Sequence, residues 1–343
     1  MEPINFLPPA PLEPHVRTRR YAFFGVVCLF LFVGIGLVVM KPSSPESQEV
    51  SEVVAVVPNI SAVSDVVGGD IHVPPPSPVV ALPVLEGTLP SVTDFTATHM
   101  VVKDHKTGVV LFEKDPYTEW PLASITKLMS ALVLLERPLD MTSSTAVVSD
   151  ALIDTHMYAG DTYTLEELWQ AALIGSSNKA IVTLVDVSGW QRETFVERMN
   201  QKALELGMGD THFVEPTGLD AKNTSTAVDV SILLSEALRY DDIRDIVLSR
   251  ELTLYSFERE NEHHLWNTNW LLLGWIPYDG FILRGAKTGY IPRSRYNFTV
   301  QVEDTDGHII DVVVLGAEAH EARFTEARDI AKAVFEAYRW PSS

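Results

Sequence analysis

Three short polar groupings in this chain can do chemistry together. The first is Ser124-Ile125-Thr126-Lys127, a hydroxyl and an amine three residues apart. On a helix, side chains at that separation share a face. A lysine held one turn from a serine can take its proton, once burial or a neighbouring cation has lowered its pKa enough to make it neutral. Ser-x-x-Lys alone is common, and Ser176-Ser177-Asn178-Lys179 repeats it. Placement separates the two. Ser124 and Lys127 open an apolar run with helical spacing, "SITKLMSALVLLE", so the unpaired amides of a helix N-terminus lie near any carbonyl the serine attacks.

The second grouping is Ser176-Ser177-Asn178, at a break between helical segments. There a hydroxyl can relay a proton, and an amide can both donate to and accept from a peptide bond. The third is Lys287-Thr288-Gly289, following the strand-like "GFILRGA". A strand sends alternate side chains to opposite faces, so in a regular strand Lys287 and Gly289 point together and Thr288 points away. Glycine allows close backbone approach. A sheet edge carrying a cation and a hydroxyl can add a peptide as an extra strand and hold its carboxylate. Lys-Thr-Gly also occurs at Lys106-Thr107-Gly108, but there it falls between two strand-like runs, where a glycine belongs to a hairpin turn.

These groups need a scaffold. "THMVVKD" and "VVLFEKD" read as strands around the Lys106 turn, and "NFTVQVED" and "IIDVVVLGA" as a second pair around "TDGH". Thr164-Leu165-Glu166-Glu167 is a capping box opening a helix, "RETFVERMNQKALELG" a helix stopped at Gly207, and "EARFTEARDIAKAVFEAYRW" a C-terminal helix. Strands at both ends and helices between them imply an α+β domain, an antiparallel sheet flanked by helices.

That domain begins near 93. Before it, 41–92 is rich in proline, serine and valine and reads as an extended linker, although its last part, "VVALPVLEGTLPSV", is apolar enough to pack on the domain. Residues 21–40 are twenty without a charge, about 30 Å as a helix, which is the thickness of a bilayer core. Arg17, Arg19 and Arg20 precede this run and only Lys41 follows. That asymmetry puts the tail 1–20 in the cytoplasm and the domain 93–343 outside. A cleaved signal peptide is the competing reading, but the run is long and lacks a small-x-small cleavage site. With one cysteine, Cys28, the chain forms no intrachain disulfide, and a net charge of −20 argues against a nucleic-acid partner. His263-His264 has no third ligand at metal-site spacing.

In the order Ser-x-x-Lys, Ser-x-Asn, Lys-Thr-Gly, with "THFVEPTGLD" and "NTNWLL" between, the chain resembles the D-alanyl-D-alanine carboxypeptidases, the low-molecular-mass penicillin-binding serine peptidases. The resemblance covers about Thr93 to Trp340. It implies a penicillin-recognising, β-lactamase-like fold with a helical subdomain beside the sheet. It implies Ser124 as the acylated nucleophile, Lys127 as its base, Ser176 as proton relay, Asn178 on the substrate amide, and Lys287 and Thr288 on the terminal carboxylate. The charge of Lys287 would help keep Lys127 neutral, and Gly289 and Tyr290 would carry the strand and the oxyanion amide together with that of Ser124. The implied substrate is a peptidoglycan stem peptide ending in D-Ala-D-Ala, with β-lactams as acylating inhibitors and no metal or cofactor. An arginine expected after the late Gly-Ala is replaced by Glu318, so Arg293 or Arg295 is the candidate for its role. A D,D-endopeptidase, a β-lactamase and an inactive wall-binding module are the alternatives. The β-lactamase reading lacks a Glu-x-x-Leu-Asn.

Overall fold

The computed structural model describes residues 81–150, 152–154 and 157–341. The cytoplasmic tail, the apolar run 21–40 and most of the linker lie outside the described residues. Among the described residues no helix is long and apolar enough to cross a membrane.

Five strands form the central sheet. β1 (His99–Asp104) and β2 (Val110–Lys114) come from the start of the domain. A separate hairpin, β3 (Glu251–Ser256) and β4 (Asn261–Trp266), pairs only with itself. β5 (Phe281–Ile291), β6 (Arg295–Asp304) and β7 (Ile309–Ala317) complete the sheet. Its order is β5-β6-β7-β1-β2, antiparallel throughout. β5 is therefore an edge strand, and Lys287-Thr288-Gly289 lies on it, buried. The other copy, Lys106-Thr107-Gly108, sits in the turn between β1 and β2, with Asp104 accepting from the amide and hydroxyl of Thr107.

Strand periodicity explains the layers. Met100 and Val102 of β1, with Val312 and Val314 of β7, pack into one core against Phe324, Ala327, Ile330 and Val334 of the C-terminal helix. Val101, Val313 and Leu315 point the other way, into a second core shared with the helical region. Both faces are covered, so β7 reads as a nearly continuous apolar run, broken only by Asp311, rather than an alternating one.

The helices are α1 (Thr126–Leu134), α2 (Leu165–Leu173), α3 (Asn178–Val187), α4 (Arg192–Glu205), α5 (Ala227–Ala237), α6 (Asp241–Val247), the short α7 (Trp270–Leu273) and α8 (Ala322–Ala337). The capping box at Thr164 and Glu167 forms as the spacing predicts, each residue bonding the other's backbone amide. α8 is tied down at its first turns. Glu326 accepts from the amides of Thr96 and Ala97 at 2.9 and 3.0 Å, and from the Thr96 hydroxyl.

The folded region starts earlier than the boundary at 93. Val84–Leu85 pairs antiparallel with Tyr338–Arg339, and the amides of Glu86 and Gly87 both donate to Ala337 O. The end of the expected linker is apolar enough to dock on the C-terminal helix, as its composition allows.

Candidate active site

Ser124 does not lie in α1 itself. It occupies a 3-10 turn, Ala123–Ile125, that leads into the helix. The turn is held under strain, because Ala123 has φ +50° and is fully buried. Such conformations persist only where the surroundings over-determine them, and two glycines supply the surroundings. A Cβ on Gly218 would fall 1.9 Å from Ala123 O, and one on Gly289 would fall 2.5 Å from Leu122 O. No residue with a side chain allows the loop after "EPT" and the edge strand β5 to close on the serine's backbone from two sides. Asn297 completes the clamp by donating to the carbonyls of Pro121 and Leu122 at 2.8 and 3.1 Å.

Lys127, on the first turn of α1, is fully buried. Its Nζ lies 2.9 Å from Ser124 Oγ, 2.7 Å from Asn178 Oδ1 and 2.7 Å from Thr217 O. Burial pushes its pKa from 10.5 down to about 7, against the opposing pull of Glu215 and Asp154. The contact set also dictates where the lone pair goes. A neutral amine keeps two N–H donors. Thr217 O can only accept. Asn178 offers its Oδ1 because its Nδ2 is committed to Ile153 O at 2.6 Å. The two N–H groups therefore go to these oxygens, and the lone pair faces the Ser124 hydroxyl, the geometry a general base requires.

Ser176 and Asn178 arrive at the break between α2 and α3. Ser176 adopts φ +61°. Ser177 caps α3, accepting from the Ala180 amide at 3.1 Å and donating to Asp154 Oδ2 at 2.6 Å. Asp154 also accepts from the Lys179 amide at 2.8 Å. The loop around 154 thus braces the segment that carries both polar groups.

β5 brings the third grouping. Lys287, 2% exposed, donates to Ser176 Oγ at 2.8 Å and more weakly to Thr288 O at 3.4 Å. It lies beneath the cleft rather than in its wall. The Thr288 hydroxyl donates to Thr268 Oγ1 at 2.6 Å. Burial is the largest cause of the low Lys127 pKa, and Lys287 is held well below the ordinary range by burial first and then by the charges of Lys127 and Arg323.

A cleft of about 600 Å³ is lined by Ser124, Ser176, Thr288, Gly289, Tyr290 and, on its aromatic side, Arg323. Arg323 is the residue sequence reasoning missed. Arg295 instead turns to Glu318 at 3.7 Å on the surface, and neither it nor Arg293 lines the cleft. Arg323 stands on the first turn of α8, is 4% exposed, and has no carboxylate partner among the described residues. It donates to Gly289 O at 3.3 Å and to His320 Nε2 at 2.8 Å, and its Nε has no partner. Burial lowers its pKa to about 10. A nearly buried cation without a counter-charge, at the edge of a cleft, is a site for a ligand anion.

Neither His263 nor His264 lines this cleft, although the His264 ring lies 4.6 Å from Trp266 in its wall. His264 meets Glu251 at 3.2 Å, and His263 packs on the Tyr158 ring at 5.3 Å. Among the described residues the one metal-like cluster, Asp304, Asp306 and His308, lies in the β6–β7 turn at the far end of the sheet.

A serine and a lysine poised to be neutral, set at the seam between an antiparallel sheet and a helical region, define a serine acyl-transfer enzyme. Comparison with known proteins narrows the class. The family model of the D-alanyl-D-alanine carboxypeptidases matches residues 86–319. The D-alanyl-D-alanine endopeptidase of Pseudomonas aeruginosa is 32% identical over 238 residues, 65% of this chain and 76% of that one. The D-alanyl-D-alanine carboxypeptidase DacF of Bacillus subtilis is 29% identical over 255 residues, 71% of this chain and 63% of that one. The cefotaxime-bound penicillin-binding protein D2 of Listeria monocytogenes shares the fold with a TM-score of 0.61 at 26% identity, over 70% of this chain and 98% of that one. The chain belongs to the D-alanyl-D-alanine carboxypeptidase family.

Proposed function

We propose that this protein is a membrane-anchored serine carboxypeptidase that removes the terminal D-Ala from peptidoglycan stem peptides ending in D-Ala-D-Ala. Neutral Lys127 takes the Ser124 proton as Oγ bonds to the carbonyl carbon of the penultimate residue. The developing oxyanion faces the backbone amides of Ser124 and Tyr290. The C–N bond then breaks, and the leaving amine receives a proton through Ser176, whose hydroxyl Lys287 holds. Asn178 meets the substrate amide with the Nδ2 hydrogen that Ile153 O leaves free, and Thr288 and Arg323 hold the terminal carboxylate. D-Ala departs, water attacks the ester, and Ser124 is restored. β-Lactams acylate the same serine. The run 21–40 anchors the chain in the membrane of a bacterial cell with the domain outside.

One observation carries this reading: Lys127 is buried, has its pKa near 7, and is left by its other two partners with its lone pair on Ser124. A second reading, hydrolysis of D,D cross-links, is favoured by the cleft's extension past Arg323 along Trp270, Trp275 and Trp266, and by the endopeptidase name of the Pseudomonas relative. The test is to incubate the full chain in detergent, beside Ser124→Ala, with a stem pentapeptide, a cross-linked dimer and a fluorescent penicillin. D-Ala released from the pentapeptide by the wild type alone supports the first reading. Cleavage of the dimer alone supports the second, and a wild type that penicillin does not label at Ser124 refutes both.

A further inference from the structure

His320 is a half-buried histidine in the cleft wall to which the mechanism above assigns no task. It stands one turn before Arg323, at the entrance to α8. Its ring is fixed on three sides. It lies 4.2 Å from the Trp270 ring, 5.6 Å from Tyr296 and 5.6 Å from Phe324. Trp270 is itself held, because it opens α7, which is capped by the Asn269 side chain accepting from the amides of Leu271 and Leu272. The imidazole therefore has little freedom to turn.

Its one polar contact is with Arg323. The guanidinium Nη2 sits 2.8 Å from His320 Nε2. A guanidinium can only donate, so Nε2 accepts, and the proton of the neutral ring sits on Nδ1. That Nδ1 is buried and has no partner. It has no acceptor through which to pass a proton, so His320 is not a relay. What remains is its effect on Arg323. The guanidinium lies over the Phe324 and Tyr296 rings at 4.6 and 5.5 Å, and two hydrogen bonds direct it, one of 3.3 Å to Gly289 O and one of 2.8 Å to His320. The shorter runs to an acceptor that brings no negative charge. An aspartate or glutamate at 320 would hold the arginine equally well and neutralise it, which would cancel its attraction for a substrate carboxylate. A phenylalanine would keep the packing and lose the bond.

We propose that His320 is a positioning residue, a neutral acceptor that aims Arg323 into the cleft while leaving its charge free for the substrate's terminal carboxylate. This rests on the carboxypeptidase reading for the identity of the anion, and on the geometry alone for the positioning. The structure assigns to His320, and not to Thr288 or Lys287, the choice of direction for the one buried cation in the cleft wall among the described residues.

The test compares full-length wild type, His320→Phe and His320→Gln at pH 8, on an acyl-D-Ala-D-Ala peptide and its C-terminal carboxamide. Losing one hydrogen bond from a charged donor raises KM for the acid peptide about tenfold or more, with kcat held within about twofold. His320→Gln, whose side-chain oxygen also accepts, restores KM. KM for the carboxamide is the same in all three proteins. If His320→Phe affects acid and carboxamide peptides equally, or if His320→Gln is as impaired as His320→Phe, the proposal is overturned. A structure of His320→Phe reads the positioning without turnover. Arg323 turned away from Gly289 supports the proposal, and an unmoved guanidinium overturns it. If the wild type releases neither D-Ala from the acid peptide nor D-alaninamide from the carboxamide, and penicillin does not label Ser124, the functional reading has failed, and this structural arm alone decides the role of His320.

Discussion

The state of Lys127 yields the most exacting prediction. Burial lowers its pKa from 10.5 to about 7, a difference worth about 5 kcal/mol at about 1.4 kcal/mol per unit. At pH 7 about half of such an amine is neutral and able to accept the Ser124 proton. An amine with the ordinary value would be neutral in only about one molecule in 3,000. The rate of Ser124 acylation by a fluorescent penicillin, followed in quenched time courses from pH 5 to 9.5, should therefore rise about tenfold per unit up to pH 7 and level off above it. A rate still climbing tenfold per unit through pH 9 would mean that Lys127 keeps an ordinary pKa or is not the base. Lys127→Arg, which cannot lose its proton in this range, should lose acylation at every pH. Asp154 raises the Lys127 pKa. Asp154→Asn keeps an oxygen acceptor for Ser177 and Lys179 and should move the midpoint to lower pH. An unmoved or alkaline-shifted midpoint would break the electrostatic argument. Stability follows with a definite sign. The folded state surrenders this proton near 7 and the unfolded chain near 10.5, so between those values the unfolded state binds more protons. The contribution of Lys127 to stability is fully present above 10.5 and is lost as pH falls toward 7, by up to about 1.4 kcal/mol per unit.

Other residues give shorter tests. Arg323→Ala should lower kcat/KM for the acid peptide by about a hundredfold or more, while Tm stays level or rises, because an uncompensated buried cation is removed; a lower Tm with an unchanged kcat/KM would contradict the assigned role. Gly218→Ala places a Cβ against Ala123 O at φ +87°, so a loss of at least about 2 kcal/mol in denaturant unfolding is expected together with slower Ser124 acylation. Glu326→Ala leaves the amides of Thr96 and Ala97 without their acceptor and should cost about 2 to 4 kcal/mol by the same measurement, with kcat unaffected. Lys106→Ala, in the turn copy of Lys-Thr-Gly, should change stability by less than about 0.5 kcal/mol and leave acylation as it was, whereas Lys287→Ala should abolish it.

What could be read from residue order was the scaffold and the catalytic pair. The strands around Lys106 and Asp306 alternate or run apolar at period two, and the capping box at Thr164 is a local signal. Local signals survive folding because each is satisfied within a few residues. Ser124 and Lys127 are local in the same sense, being one turn apart on a continuous segment. The partners that make Lys127 a base are not. Thr217 O and the Asn178 amide come from positions 90 and 51 residues away, and no periodicity announces a carbonyl or an amide rotamer. The strand rule holds at Lys287 and Thr288, whose register with β6 is unbroken from Gly285 to Ile291, but it does not say that both would meet residues of the cleft region, Ser176 and Thr268.

Arg323 shows where such reasoning stops. In "LGAEAHEARF" the search for a cation ends on Glu318, the first residue after Gly-Ala, because an extended chain leaving β7 would keep the side chains near the cleft close in sequence. The chain instead turns into α8 within five residues of Ala317. The first helical turn folds Arg323 back over the end of the sheet, where it reaches Gly289 O on β5 across the intervening β6. Glu318 is thrown outward to Arg295. The bend and turn residues 318–321 take the chain out of the strand direction before α8 begins, so the residue six positions after Ala317 stays near the strand end that extended chain, at about 3.3 Å per residue, would have left far behind. The signal was an apolar helical period beginning after a connection of only four residues, 318–321. The position of an arginine on its first turn, rather than its distance from Gly-Ala, decides whether it faces the cleft. It also makes the identity of residue 320 matter, since His320, in the turn that leads into α8, is the side chain that holds the guanidinium.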